Sequence, residues 1–206
     1  DRVLKIDPEL QRRIDFAEKH VTDKSGRPWT AKGREWVMDE FWGAVDGFKA
    51  WPDGDHLCEK CAAIANTVIR DPREIKKCRR KIEGQACGGL RAEPIIMTVL
   101  CLPRRSGKSF NTTAYSLAQL CQGKNKRIAF VASSEDQMKA LFIENYAEAI
   151  NRSPALSKAC DVRESYGQIR VEHSRGFFEG LSTSHGSVTG RGRTHVIIDE
   201  ARDVPA

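Results

Sequence analysis
The chain has 206 residues, 40% of them hydrophobic and 30% charged, with a formal net charge of +6. That is enough for one sizeable core or one domain with an appendage. No apolar run approaches the roughly 20 residues of a bilayer-spanning helix, so a membrane role is not expected. The positive balance favours polyanionic partners. A chain that opens on Asp1 without a basic–apolar leader is expected to be a non-secreted piece of something longer. The seven cysteines are an odd number, which argues for reduced thiols rather than a disulfide framework.

There is no internal repeat, and the composition divides the chain into three regions. Residues 1–55 are expected to be helical. "PELQRRIDFAEKHV" sets Leu10, Ile14, Ala17 and Val21 at helical spacing behind Pro8. "TDKSGRPW" is a turn. "TAKGREWVMDEFWGAVDGF" predicts a second helix with Trp36, Val37, Phe41 and Trp42 on its apolar side, and "WPDGD" breaks it. Residues 56–91 form a Cys-rich, basic insertion or subdomain that holds four of the cysteines and a cationic run from Arg70 to Arg91. Cys58 and Cys61 have the spacing of a metal knuckle. Cys78 and Cys87 are the candidates to complete four zinc ligands, with His56 as a substitute. The alternative is reduced cysteines packed in a helical insertion, for which "AAIANTVI" supplies a core. Cys101, Cys121 and Cys160 lie in apolar stretches and are expected to be small core residues.

From 92 to 206 the pattern becomes strand–helix alternation, which predicts a mostly parallel sheet with helices on both faces. "IIMTVLC", "RIAFVAS" and "THVIIDE" are buried strands. "SSEDQMKALFIENYAEAI" is a helix with Ser134 and Gln137 spaced as a capping box. "QIRVEH" and "GFFEGL" are the arms of a hairpin that turns at Ser174–Gly176.

The chemistry sits in two places. Leu102-Pro103-Arg104-Arg105-Ser106-Gly107-Lys108-Ser109 matches the phosphate-binding pattern G-x-x-x-x-G-K-[ST] except at its first glycine. A bare Gly-Lys-Ser/Thr triplet arises by chance in roughly one such chain in ten. Its place between an apolar strand and a helix is therefore what gives it weight. Backbone N–H groups and the helix N-terminus would face phosphate oxygens, Lys108 would meet the β- and γ-phosphates, and Ser109 would offer its hydroxyl to Mg²⁺. Arg104 or Arg105 would neutralise charge developing on the γ-phosphoryl group. The second place is the strand end Asp199-Glu200. Asp199 is suited to hold Mg²⁺, and Glu200 to orient or deprotonate the attacking water. Arg191 and Arg193 flank Gly192 in a glycine- and hydroxyl-rich loop. They are candidates for a trans-acting arginine finger or for DNA phosphate contacts, the alternative being a solvated loop.

With "PRRSGKS", "AFVASSEDQMKALF", "NRSPAL" and "GSVTGRGRTHVIIDEA" together, the chain from Ile95 to Ala206 resembles the large subunit of bacteriophage terminases, the ATP-driven motors that package DNA. The resemblance implies an α/β P-loop NTPase fold of the ASCE type, with Glu200 as catalytic carboxylate and ATP and Mg²⁺ as cofactors. It also implies double-stranded DNA, a portal ring and a small terminase subunit as partners, a homo-oligomeric ring, and action in the host cell cytoplasm. The family's adenine-pocket glutamine has no confident match in Gln11 or Gln85. No carboxylate cluster that would serve a nuclease is present, so DNA cutting is not expected. Two alternatives remain at this point. One is a helicase-like, nucleic-acid-dependent ATPase, since "DEAR" resembles the helicase Asp-Glu box. The other is a non-catalytic, zinc-holding nucleic-acid-binding module.

Overall fold
The computed structural model describes residues 8–34, 41–45, 47–69, 72–95, 98, 106–183 and 192–198. The chain divides into two compact units, one made of residues 1–10 and 32–101 and the other of residues 11–31 and 102–206. Helix α1 (Pro8–His20) begins at their boundary in sequence. Its predicted stripe is realised, with Leu10, Ile14, Ala17 and the following Val21 all buried. The turn after it is held by Asp23, whose carboxylate accepts from the backbone N–H groups of Ser25 and Arg27 and pairs with the Arg27 guanidinium.

In the first unit the described residues 41–45 of the predicted second helix are helical, Phe41 and Trp42 in a π-helical turn where both are buried and then the short α2 (Gly43–Val45). Trp36 and Val37 lie outside the described residues. The chain then turns into β1 (Phe48–Pro52), a strand where the local pattern predicts a helix end and a breaker. The residues after Gly47 do alternate in the way a strand requires. Ala50 is fully buried, Lys49 and Trp51 point outward, and the Lys49 ammonium stands 4.0 Å from the Trp51 ring centroid. Then follow α3 (Glu59–Ile64), β2 (Val68–Ile69), the hairpin strands β3 (Lys81–Ile82) and β4 (Gln85–Ala86), and β5 (Leu90–Pro94). Strands β2, β1 and β5 make an antiparallel sheet in that order, in which Ala50 faces Ala92. The expected helical core in "AAIANTVI" does not form. Helix α3 stops at Ile64, Ala62 to Ile64 are exposed, and Asn66 adopts a left-handed φ of 64° before the chain becomes strand.

The second unit holds α4 (Lys108–Gln122), β6 (Arg127–Ala132), α5 (Glu135–Leu141), a π-helical turn (Phe142–Ala147), α6 (Glu148–Arg152), α7 (Pro154–Ala159), β7 (Cys160–Arg163), β8 (Gln168–Val171), β9 (Gly176–Ser182) and β10 (His195–Ile198). The strand expected at Ile95–Cys101 falls mostly outside the described residues. The five strands stand in the order β10-β6-β9-β8-β7. The β10–β6 and β6–β9 pairs are parallel, and the β9–β8 and β8–β7 pairs antiparallel. The sheet is therefore mixed rather than mostly parallel, because the predicted β8–β9 hairpin and the adjoining β7 bring their own antiparallel pairing. The hairpin turns where expected, with Arg175 at a φ of 54°.

One sheet face carries the core. Phe130 and Phe178 meet Phe142 and Tyr146 from the α5–α6 segment, with 4.5 Å between the Tyr146 and Phe178 ring centroids. Each such ring contributes roughly 1.5–3 kcal/mol by burial. The π-turn lies within this contact, and Asn145 Nδ2 donates to the Leu141 carbonyl there at 2.9 Å. Helix α4 covers the same face, as the Tyr115–His195 ring contact records. Helix α4 at Leu120 and α5 at Met138 approach Gly176 and Gly180 of β9 on this one face of the sheet. Its other face bears a concavity of about 970 Å³ whose lining includes Arg127, Arg170, Phe177, Glu179 and Arg193. The capping box of α5 differs by one residue from the expected form. Ser134 Oγ accepts from Gln137 N, but Gln137 Oε1 reaches back to the N–H of Ser133. Among the described residues no helix is long and apolar enough to cross a membrane.

Candidate functional site
The start of α4 is built from Gly107, Lys108 and Ser109. Gly107 caps the helix with a left-handed backbone, φ 80° and ψ 24°, and its carbonyl accepts from Asn111 N at 2.9 Å. Open space surrounds the place where a Cβ would stand, the nearest atom being Asn111 Nδ2 at 3.9 Å. A side chain there is opposed by backbone strain rather than by a clash. Gly107→Ala is expected to cost about 1–2 kcal/mol, and a thermal unfolding curve unchanged from the parent would contradict this. Lys108 and Ser109 are half-buried, and Ser106 is exposed. The Ser109 carbonyl accepts from both Thr112 Oγ1 (2.9 Å) and Thr113 Oγ1 (2.7 Å), which ties the first turns together. The first turn has no acidic side chain, so the positive end of the helix dipole is not offset by its own residues.

A side-chain hook that the sequence did not reveal holds this end. Trp29 is fully buried, and its Nε1 donates to Asn111 Oδ1 at 3.0 Å. This docks the turn after α1 onto α4. A tryptophan in a Gly/Pro turn and an asparagine inside a helix were the available signals, but only the fold brings the two together across 82 positions.

Helix α4 runs opposite to the parallel strands. Its C-terminal end is tied to the turn that starts β9, where Ser174 Oγ donates to the Leu120 carbonyl and His173 Nε2 lies 2.9 Å from the Cys121 carbonyl. At 1.5 Å per residue the 15-residue helix is roughly 22 Å long. Its N-terminus therefore stands at the opposite rim, where β6 ends at Ala132, β9 at Ser182 and β10 at Ile198. Thr183 bridges two of those strand ends, donating from N to the Ala132 carbonyl (3.1 Å) and from Oγ1 to the Ser133 carbonyl (2.9 Å). Asp199 and Glu200 follow Ile198 in sequence. They lie outside the described residues, as do Pro103, Arg104, Arg105 and Arg191.

Arg193 is described, and it is not free. Its Nη1 sits 2.5 Å from Glu179 Oε1, with both side chains about 7% exposed. The 970 Å³ concavity that these two help to line is on the sheet face away from α4, so it is not the rim of the glycine–lysine–serine turn.

In the first unit the Sγ atoms of Cys58, Cys61, Cys78 and Cys87 all lie within 4.8 Å of one another. His56, the expected substitute, is exposed and outside this group. The backbone N–H groups of Cys58 and Gly89 point at the Cys87 sulfur and hold that thiol down at about 7. Cys121 and Cys160 are buried core thiols, as expected, and Cys101 lies outside the described residues.

Residues 99–206 match the family described as terminase large subunit, T4likevirus-type, N-terminal. No curated protein matches the chain. The crystal structure of the HK97 bacteriophage large terminase superposes with a TM-score of 0.58 at 16% identity, over 93% of this chain and 31% of that one. At that identity the likeness is one of fold, and the chain spans about a third of that protein's length. The ATPase domain of the Thermus phage P74-26 large terminase aligns with a TM-score of 0.40 at 21% identity, over 51% of this chain and 48% of that one.

Proposed function
The chain belongs to the terminase large-subunit family, T4likevirus type, and on that premise we propose that it is the ATP-hydrolysing motor part of a DNA-packaging enzyme. The observation that carries the proposal is the shared rim. A helix that opens on Gly107-Lys108-Ser109 starts where β10 ends, one residue before Asp199-Glu200.

The donor set fits a nucleotide triphosphate and its metal. The N–H groups of the first turn of α4 bind phosphate oxygens, and the left-handed Gly107 lets the backbone approach them. Lys108 sets a positive charge against the β- and γ-phosphates. Ser109 and Asp199 are the residues that would hold Mg²⁺, which when bound offsets phosphate charge. Glu200 orients the attacking water and takes its proton. Arg104 or Arg105, next to Pro103 and Ser106 in sequence, neutralises charge that develops on the transferred group. Of the two candidates for an arginine offered to a neighbouring subunit of a ring, Arg191 is the better, because Glu179 engages the guanidinium of Arg193. In this reading double-stranded DNA is the translocated partner. A portal ring and a small terminase subunit complete the assembly in the host cytoplasm, and residues 92–206 are the ATPase core.

Lys108→Ala tests the site directly. The parental chain is expected to gain thermal stability with ATP and Mg²⁺ by ligand linkage, about 2.7 kcal/mol at a hundredfold excess over Kd. The variant is expected to lose that gain while keeping its unliganded unfolding temperature. An equal shift in both proteins would remove Lys108 from the site.

A further inference from the structure
We infer that Cys58, Cys61, Cys78 and Cys87 hold one structural Zn²⁺ as a closed tetrathiolate site that clamps the β3–β4 hairpin to the start of α3. This inference does not depend on the ATPase reading.

Geometry is the first support. Four sulfurs at the zinc–thiolate distance of about 2.3 Å from a common centre stand about 3.8 Å apart. The Cys58 and Cys78 sulfurs are 3.8 Å apart, and no pair in the group exceeds 4.8 Å. None of the four is in a disulfide. Cys58 precedes the first turn of α3 and Cys61 lies within it, so one helical turn presents both sulfurs on one side. Cys78 and Cys87 stand before and after the hairpin, which is closed by Glu83 and Gly84 at φ 50° and 85°.

Packing is the second support. The cluster around these sulfurs contains Cys58, Cys61 and Cys87, and among the described residues Leu57, Cys78, Ile82 and Leu90 pack against it. Three aliphatic side chains are little apolar surface for joining the start of α3 to the hairpin, since the buried Ile69 of the same stretch belongs to the β2-β1-β5 sheet, and a junction of this kind needs a staple. The cysteines themselves are the core.

The backbone around the sulfurs is also arranged for ligation. The N–H of Cys58 donates to Cys87 Sγ at 3.3 Å, the outer hydrogen bonding that orients thiolate ligands. Gly88 N donates to the His56 carbonyl at 2.8 Å, and Asp53 N to that of Gly89 at 3.1 Å. These bonds lace the ligand-bearing loops so closely that a Cβ on Gly88 would come within 2.7 Å of Gly54 Cα. Four thiolates around a dication leave a net dianion. Lys76, Lys77, Arg79, Arg80 and Lys81 flank Cys78 in sequence, and Arg80 and Lys81 line a hollow together with Cys58. With four protein ligands there is no open position, so the metal's part is folding and not catalysis.

The test uses the full chain, purified without added metal. Elemental analysis is expected to find about one zinc per chain, released in step with titration of the thiols by a mercurial. Cobalt substitution is expected to give the intense visible bands of a tetrahedral tetrathiolate. Losing a ligand should weaken binding by at least the ~10–100-fold that loss of an outer-shell partner costs. Cys78→Ser is therefore expected to lose its zinc, and Cys121→Ala, in the other unit, to keep it. Should Cys78→Ser fail to fold, chelation of the parental chain decides. Proteolysis is then expected to open within residues 57–90, and re-addition of zinc to close it. Zinc below a tenth of an equivalent in folded protein, iron in its place, disulfides among the four residues, or a cleavage pattern indifferent to chelation would each overturn the assignment.

Discussion

Replacing Glu200 with glutamine is expected to leave ATP binding intact and to slow hydrolysis by roughly 10²–10⁴-fold, the usual worth of a positioned general base. The substitution keeps the shape of the side chain and its ability to accept a hydrogen bond, and it removes the basicity. Single-turnover hydrolysis by the hydrolysing form of the protein, held in excess over ATP, is the measurement. It should be read beside the ATP-dependent thermal shift. A parental rate in Glu200→Gln would move the base elsewhere. A lost thermal shift would show that Glu200 binds rather than activates. The contrast with Lys108→Ala is the useful one, since that change is expected to abolish binding. The two variants thus separate the two ends of the shared rim, one at the start of α4 and the other just beyond β10.

Glu179→Ala is expected to destabilise the fold by about 3–5 kcal/mol, because it leaves the Arg193 guanidinium buried without its carboxylate. The pair is 2.5 Å apart and almost fully enclosed. It joins β9 to the residues before β10 across the intervening β6, on the sheet face away from α4. Replacing both partners with apolar residues of similar volume, Glu179→Leu with Arg193→Met, is expected to recover most of the loss, since the desolvation of two charges no longer opposes folding. Denaturant unfolding of the single and double variants measures this. A loss under about 1 kcal/mol for Glu179→Ala, the range of an exposed ion pair, would mean that water reaches the pair.

Local patterns with one physical cause were legible without coordinates. The stripe Leu10-Ile14-Ala17-Val21 specifies α1 because helical spacing and burial agree there. β6, the β8–β9 hairpin and the long helix after Ser134 were equally plain. Where two periods compete, local pattern misleads. The bulky run from Trp36 to Phe48 suits a helix, and it concealed the alternation that begins after Gly47 and becomes β1. Both faces of β10 were expected to be buried because Val196, Ile197 and Ile198 are all aliphatic. Val196 and Ile198 are nevertheless each 49% exposed, although their neighbours on β6, Ala129 and Val131, are buried.

The sequence by itself determined the chemical inventory: a glycine–lysine–serine turn ahead of a helix, an Asp-Glu pair after an aliphatic strand, and a Cys-x-x-Cys knuckle with two further cysteines. These depend on residue type and on spacing along a few turns of chain. Tertiary structure alone decided what meets what. It set α4 antiparallel to the strands, so that Gly107 and the end of β10 share a rim, and it hooked Trp29 onto Asn111. It engaged Arg193 with Glu179, and it drew four sulfurs from across 58–87 to within 4.8 Å. Such contacts span tens of residues, and they form only when the free energy of burial over a whole unit outweighs the chain entropy lost in closing those loops. No local pattern carries that balance.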